Sequence, residues 1–291
     1  MQSSSRKVRP VQAIALALGV FMPLQAVAGD IDTEHIFGFM IGSDIGSIGE
    51  REFQSQTTGR FGKSGGRYRA GEQEFELEWV PAKDVRIEIG SSMSAYQIPG
   101  VSGLPDRRAF AWQGASIDVR YRFLDRETAP VGMTLAVDGE FSRMDEANAA
   151  RIQGYGAGIT LALDREIVRG VAVAAINLIY QPEWTRRLDT GRVDRDSVLG
   201  ASFGVMAQAH AGLLLGGEAR YLRRYEGTGL SEITGQALFV GPTAYVQLSA
   251  RSRLTLGWSA QVWGRSEQPG ATLDLVNFER HQARLTYGIN F

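Results

Sequence analysis

Leu238-Phe-Val-Gly-Pro-Thr-Ala-Tyr-Val-Gln-Leu248 reads Leu, Val, Pro, Ala, Val, Leu at its even positions and Phe239, Gly241, Thr243, Tyr245, Gln247 at its odd ones. Strand side chains two apart share a face, so the segment has one apolar face and one polar or small one. Just downstream, Arg253-Leu-Thr-Leu-Gly-Trp-Ser-Ala-Gln-Val262 repeats the scheme: Leu254, Leu256, Trp258, Ala260 and Val262 alternate with Thr255, Gly257, Ser259 and Gln261.

Working outward, the same period predicts strands near 50–62, 66–80, 84–97, 109–124, 131–143, 151–164, 170–184, 196–208, 211–224, 236–249, 252–265 and 279–291. The connectors Pro81–Lys83, Asp125–Pro130, Arg165–Arg169, Ala209–His210 and Ala250–Arg251 are short, and those between them are longer, apart from Lys63–Gly65. About twelve antiparallel strands with short turns at one end and long loops at the other predict an all-β fold, a transmembrane up-and-down β-barrel. Its termini then lie on the periplasmic side.

The chain's two ends agree with that reading. Arg6, Lys7 and Arg9 precede an apolar run from Val11 to Leu24 and the small-residue exit Ala26-Val-Ala28, the pattern of a signal peptide cut after Ala28. At the other end, Ala283-Arg-Leu-Thr-Tyr-Gly-Ile-Asn-Phe291 alternates to a terminal aromatic, the ending that barrel-insertion machinery reads. On outward positions, Trp79, Phe123 and Phe291 sort to the short-turn end, and Phe141, Tyr180, Trp184 and Tyr221 to the other. Two such belts suit the two headgroup regions of an outer membrane, making its lipid the outward partner.

The expected organisation is therefore 1–28 signal peptide, 29–49 periplasmic lead-in or plug, and 50–291 barrel. Thr33–Glu50 is too interrupted by glycine for a strand; a disordered lead-in is the default, with a lumen plug or an extra pairing element as alternatives. Of 291 residues, 44% are hydrophobic and 22% charged, which excludes disorder. Beyond Ala28 there are 28 basic and 32 acidic residues, a net charge of −4 that disfavours a nucleic-acid partner. The absence of cysteine removes disulfides, Cys-bearing zinc sites and thiol nucleophiles.

With the apolar face on lipid, the charged face lines the lumen. Glu72, Glu74, Glu76 and Glu78 form one column beside Arg86 and Glu88. Asp118, Arg120 and Arg122 share the next inner face; Asp138 and Glu140, then Glu218 and Arg220, then Arg280, Gln282 and Arg284 follow on later strands. An arginine turned to lipid near the midplane would cost roughly 2–4 kcal/mol, so these groups line either a water-filled route or a closed ionic network. The first makes the protein a channel or transporter for a small polar or charged solute, with an arginine-bearing wall opposing the glutamate column. The second makes it a sealed structural barrel. Gly154, Gly156 and Gly158 leave space on one inner face, or merely permit curvature.

Among His35, His210 and His281, only His281 stands near a candidate nucleophile, Ser266 at the end of the adjacent strand, and no third orienting residue accompanies them. A lipid hydrolase or acyltransferase is thus a minor alternative to a non-enzymatic barrel. The spacing shows no metal-ligating group, phosphate-cradling loop or nucleotide fingerprint, so no metal or cofactor is expected. The segments Glu34–Glu50, Thr57–Gly62, Tyr121–Pro130, Pro182–Arg187, Glu218–Tyr225 and Asn277–Phe291 resemble a largely uncharacterised family of proteobacterial outer-membrane β-barrels. Its members are often named as transporters, and it is loosely similar to barrels encoded beside phenol-degradation pathways. The resemblance implies the fold and compartment, and no substrate.

Overall fold

Residues that alternate between apolar and polar cannot form a helical stripe, and every such segment is extended. The computed structural model describes residues 30–266 and 271–291, so the expected leader lies outside the described residues. Twelve strands follow in order: β1 (Arg51–Phe61), β2 (Arg69–Ala82), β3 (Val85–Ile98), β4 (Arg107–Leu124), β5 (Gly132–Met144) and β6 (Arg151–Val168), then β7 (Ala172–Arg187), β8 (Val193–His210), β9 (Leu213–Glu226), β10 (Glu232–Gln247), β11 (Ser252–Ser266) and β12 (His281–Asn290). Each pairs antiparallel with its neighbours in sequence. β1 closes on β12 in a register running from Glu52 opposite Asn290 to Phe61 opposite His281. The result is a closed up-and-down barrel, which leaves no sheet edge unpaired.

Expected and observed strands agree closely, with two differences. β6 and β8 run further at their ends than their apolar alternation suggests, and the 125–131 connection is as long as the 62–68 loop, so the short-turn rim is not uniformly short. The outward face is apolar: Leu77, Ile89, Val119, Leu178, Phe203 and Leu256 are all exposed. Such a continuous apolar girdle matches the hydrocarbon band around a membrane barrel. Trp79 and Phe123 stand exposed toward the short-turn rim, and Trp112, Phe141 and Tyr155 cluster toward the long-loop rim with ring centroids 6.2 and 5.5 Å apart. A register shift in β10 between Leu238 and Phe239 brings Val262 and Trp263 of β11 to the outer face together.

Three clusters of buried apolar residues lie inside the barrel. Ile31, Ile36, Phe37 and Met40 of the N-terminal segment pack on Val173, Ala175, Met206 and Leu214 of β7 to β9. Tyr68, Tyr96, Ile98, Val101, Met144 and Ala149 close part of the long-loop end, and Phe239 with Phe278 closes another part.

Candidate functional site

Residues 30–50 form no strand and run inside the barrel, the plug-like placement among those the sequence leaves open. Their backbone groups, lacking a ladder, are satisfied by inward side chains of the wall. Glu218 accepts from the amides of Gly38 and Phe39 at 2.6 and 2.9 Å, and the Asn177 amide both accepts from Ile41 N and donates to Ile41 O at 2.9 Å. Asp164 accepts from the amide and hydroxyl of Ser43 at 2.6 and 2.7 Å, and Thr255 Oγ1 donates to His35 O at 2.7 Å. Gly38 meets Gly257 backbone to backbone: a β-carbon on Gly38 would sit 2.8 Å from the Gly257 Cα. Phe39 lies between two cations, with the guanidinium carbons of Arg220 and Arg284 4.1 and 5.1 Å from its ring centre.

The segment's ends are tied to the short-turn rim. Asp30 pairs with Arg169 of the β6–β7 turn at 3.0 Å, and Ile31 N donates to Glu166 at 2.5 Å. Asp44 pairs with Arg126 at 2.5 Å and accepts from Thr33 N at 2.8 Å. Burial, opposed by Arg126, moves the Asp44 carboxyl up to about 6. Burial likewise moves Glu34 up to about 7 against the pull of Arg86. His35 is held well below its ordinary value by burial and then by the charges of Arg253, Arg86 and Arg120, so its imidazole is neutral.

Most predicted lumen residues do face inward, in a bonded ionic wall. Arg86 pairs with Glu34, Glu78 and Glu88, Arg120 with Glu88 and Asp118, and Arg253 with Glu52. Arg122 holds Asp84 at 2.9 Å at the short-turn rim. Within the glutamate column, Glu72 pairs with Arg60 at 3.6 Å, Glu74 accepts from Ser116 at 3.1 Å, and Glu76 accepts from Gln54. Arg220 of β9 and Arg284 of β12 meet at Phe39 inside the lumen, while Arg60 of β1 and Arg86 of β3 flank the glutamate column on neighbouring strands.

Toward the long-loop end, the side of the lumen formed by β5 to β9 is acidic. A cavity of about 280 Å³ opens between β5 and β9, lined by Asp138, Glu140, Glu146, Glu183 and Asp196 with Arg224 among them. Gly156 contributes to its wall, and the Asp138 carboxylate lies over Gly158, where a β-carbon would come within 2.0 Å of Oδ1. Two sequence expectations are corrected. Arg280 precedes β12 and is exposed, since residues 271–280 carry Asp274, Phe278 and Glu279 inward in its place. His281 pairs with Ala260, so Ser266 lies six residues further along β11, roughly 20 Å at strand rise, and the two form no pair. His281 stacks on Trp258 instead, 5.5 Å between centroids.

Sequence reasoning missed the wall partners of residues 30–50, Asn177, Asp164 and Thr255 among them. It also missed the grouping of Glu34, His35 and Glu78, whose ligand-type atoms lie within 4.8 Å of one another. The first group could be sought among polar residues at inward positions of otherwise small or apolar faces; nothing local marks the second.

The barrel is similar in fold to an outer membrane channel from Pseudomonas putida F1, with a TM-score of 0.58 and 11% identity over 86% of this chain and 98% of that one. It is also similar to the beta domain of the Bordetella autotransporter Brka, with a TM-score of 0.50 and 14% identity over 84% of this chain and 100% of that one. No curated protein matches the sequence. Residues 29–291 match the profile of DUF6662, a family of unknown function, and the chain belongs to that family.

Proposed function

We propose that the protein is an outer-membrane channel for a small polar or cationic solute, held shut at its periplasmic half by its own residues 30–50. The acidic cavity carries this reading, since five carboxylates around one arginine form a chamber of about 280 Å³ toward the long-loop end of the lumen, beyond the plug's apolar contacts at the short-turn end of β7 to β9. A cation entering it is attracted and an anion repelled, and the low-dielectric wall strengthens both effects. The apolar girdle supports lipid as the outer partner, and exposed Phe291 beyond β12 supports recognition by the insertion machinery. Export through a cleaved leader ending at Ala28 completes the proposed route to that membrane.

Conductance of the refolded protein in planar bilayers tests the reading. Phe37→Asp with Met40→Asp, which unseats the plug's apolar face, is expected to raise single-channel conductance. Glu140→Gln with Glu183→Gln is expected to shift the reversal potential toward anions. A correctly inserted barrel that conducts in neither the parent nor the unseated form would make it a sealed structural element.

A further inference from the structure

His35 carries the inference, because its surroundings do not suit a histidine that merely fills space. Its Nε2 lies 3.5 Å from Glu78 Oε2, 3.6 Å from Glu34 Oε1 and 3.8 Å from Glu52 Oε1. All three separations exceed a good N–H···O hydrogen bond, and a neutral imidazole has one proton to give. The carboxylates come from three places, with Glu34 beside His35 in the plug and Glu52 and Glu78 directly paired across β1 and β2. The strand register, rather than chance side-chain rotation, thus brings them to one level.

These separations suit a shared cation. Ligands about 2.0–2.1 Å from a tetrahedral zinc ion stand roughly 3.3–3.4 Å from one another, and the distances from Nε2 to Glu78 and Glu34 are wider than that by only a few tenths of an ångström, with all three ligand atoms within 4.8 Å of one another. A second observation falls on the same carboxylate: Glu78 Oε1, the oxygen beside the one that faces His35, is buried on a side chain only 4% exposed and has no hydrogen-bond partner among the described residues.

We propose that Glu34, His35 and Glu78 form a site for a divalent first-row transition cation, zinc by preference, that clasps the N-terminal segment to β2. The donor set of one imidazole nitrogen with carboxylate oxygens and no thiol selects such ions over magnesium and calcium, which take oxygen ligands. With the proton on Nδ1, Nε2 offers its lone pair to the metal. Arg86, which pairs with both Glu34 and Glu78, then serves as an outer partner that orients the carboxylates.

The test uses the full refolded chain in detergent, stripped with a chelator, desalted and titrated with zinc. Bound metal is counted after gel filtration, and cobalt in zinc's place reports the site through its visible absorption. The expected result is one zinc per chain, a tetrahedral cobalt band, and at least ~10-fold weaker binding in His35→Ala and in Glu78→Gln. His210→Ala with His281→Ala is expected to bind as the parent does. Heat-modifiable migration on a gel confirms that each variant is a folded barrel. Absence of stoichiometric binding by the folded parent overturns the proposal, as does binding that survives His35→Ala and Glu78→Gln. Neither outcome depends on whether the barrel conducts.

Discussion

Arg86 is 1% exposed, the largest side chain so fully enclosed, and it joins Glu34 of the plug to Glu78 and Glu88 of the wall. Enclosing a guanidinium is tolerable only while its carboxylates remain, and removing one partner of a buried pair costs about 3–5 kcal/mol because the other is left uncompensated. Arg86→Met is therefore expected to lower stability by about that much in urea unfolding from micelles. Arg169→Ala removes an exposed pair with Asp30 and is expected to leave the midpoint nearly unchanged. Equal losses from both would contradict the role given to burial. At this scale the sequence was readable wherever a charge sat on an alternating strand. Glu72 to Glu78 and Arg86 needed only their parity, whereas His35 lies in a stretch without period and its partner Glu78 lies more than forty residues away.

The N-terminal segment behaves as an element of its own without being a helix or a strand. It is fixed by apolar contacts of Ile36, Phe37 and Met40 and by wall side chains from β5 to β11. Those partners are spread over the chain, so neither its glycines nor its hydropathy could announce the docking, and a disordered lead-in was the natural expectation. Glu34 and Asp44 give the docked form a pH dependence. Both carboxyls titrate above the ordinary range of about 4 when docked, so the docked state holds their protons more tightly than a released segment does. Their contribution to docking is fully present below about pH 4 and is lost as pH rises through about 6 for Asp44 and about 7 for Glu34. The cations facing them, Arg126 and Arg86, stay charged throughout. In chelator, spin labels on Asp30→Cys and Lys83→Cys should report a larger docked fraction at pH 5 than at pH 8, and the reverse trend would refute this assignment.

Over the whole molecule, one composition serves two solvents: an apolar girdle outside and ion pairs inside. Twelve strands and their order were legible because period two persists in every strand and each connection joins neighbours, whereas the closing register depends on the stagger of the whole barrel. What stayed hidden was contact across the lumen and the course of the long connections. The acidic chamber and the inward course of residues 271–280, with Phe278 against Phe239, depend on barrel curvature that no local pattern encodes. The inside-out partition predicts that Ile89→Arg, on the exposed girdle near the middle of β3, costs roughly 2–4 kcal/mol in lipid. Folding free energies measured in vesicles should show that loss, and a neutral outcome would mean that this face does not meet hydrocarbon.

The placement of the plug has a topological consequence. It starts at Asp30 beside the β6–β7 turn and ends at Glu50, whose Oε1 accepts from Asn290 Nδ2 at the same rim, so it enters and leaves through one mouth. It is folded into the lumen as a loop, without being threaded through the barrel. It can be drawn out through the short-turn mouth while all twelve strand pairings remain intact. The cylinder and its stopper are mechanically separable, although they are one continuous chain.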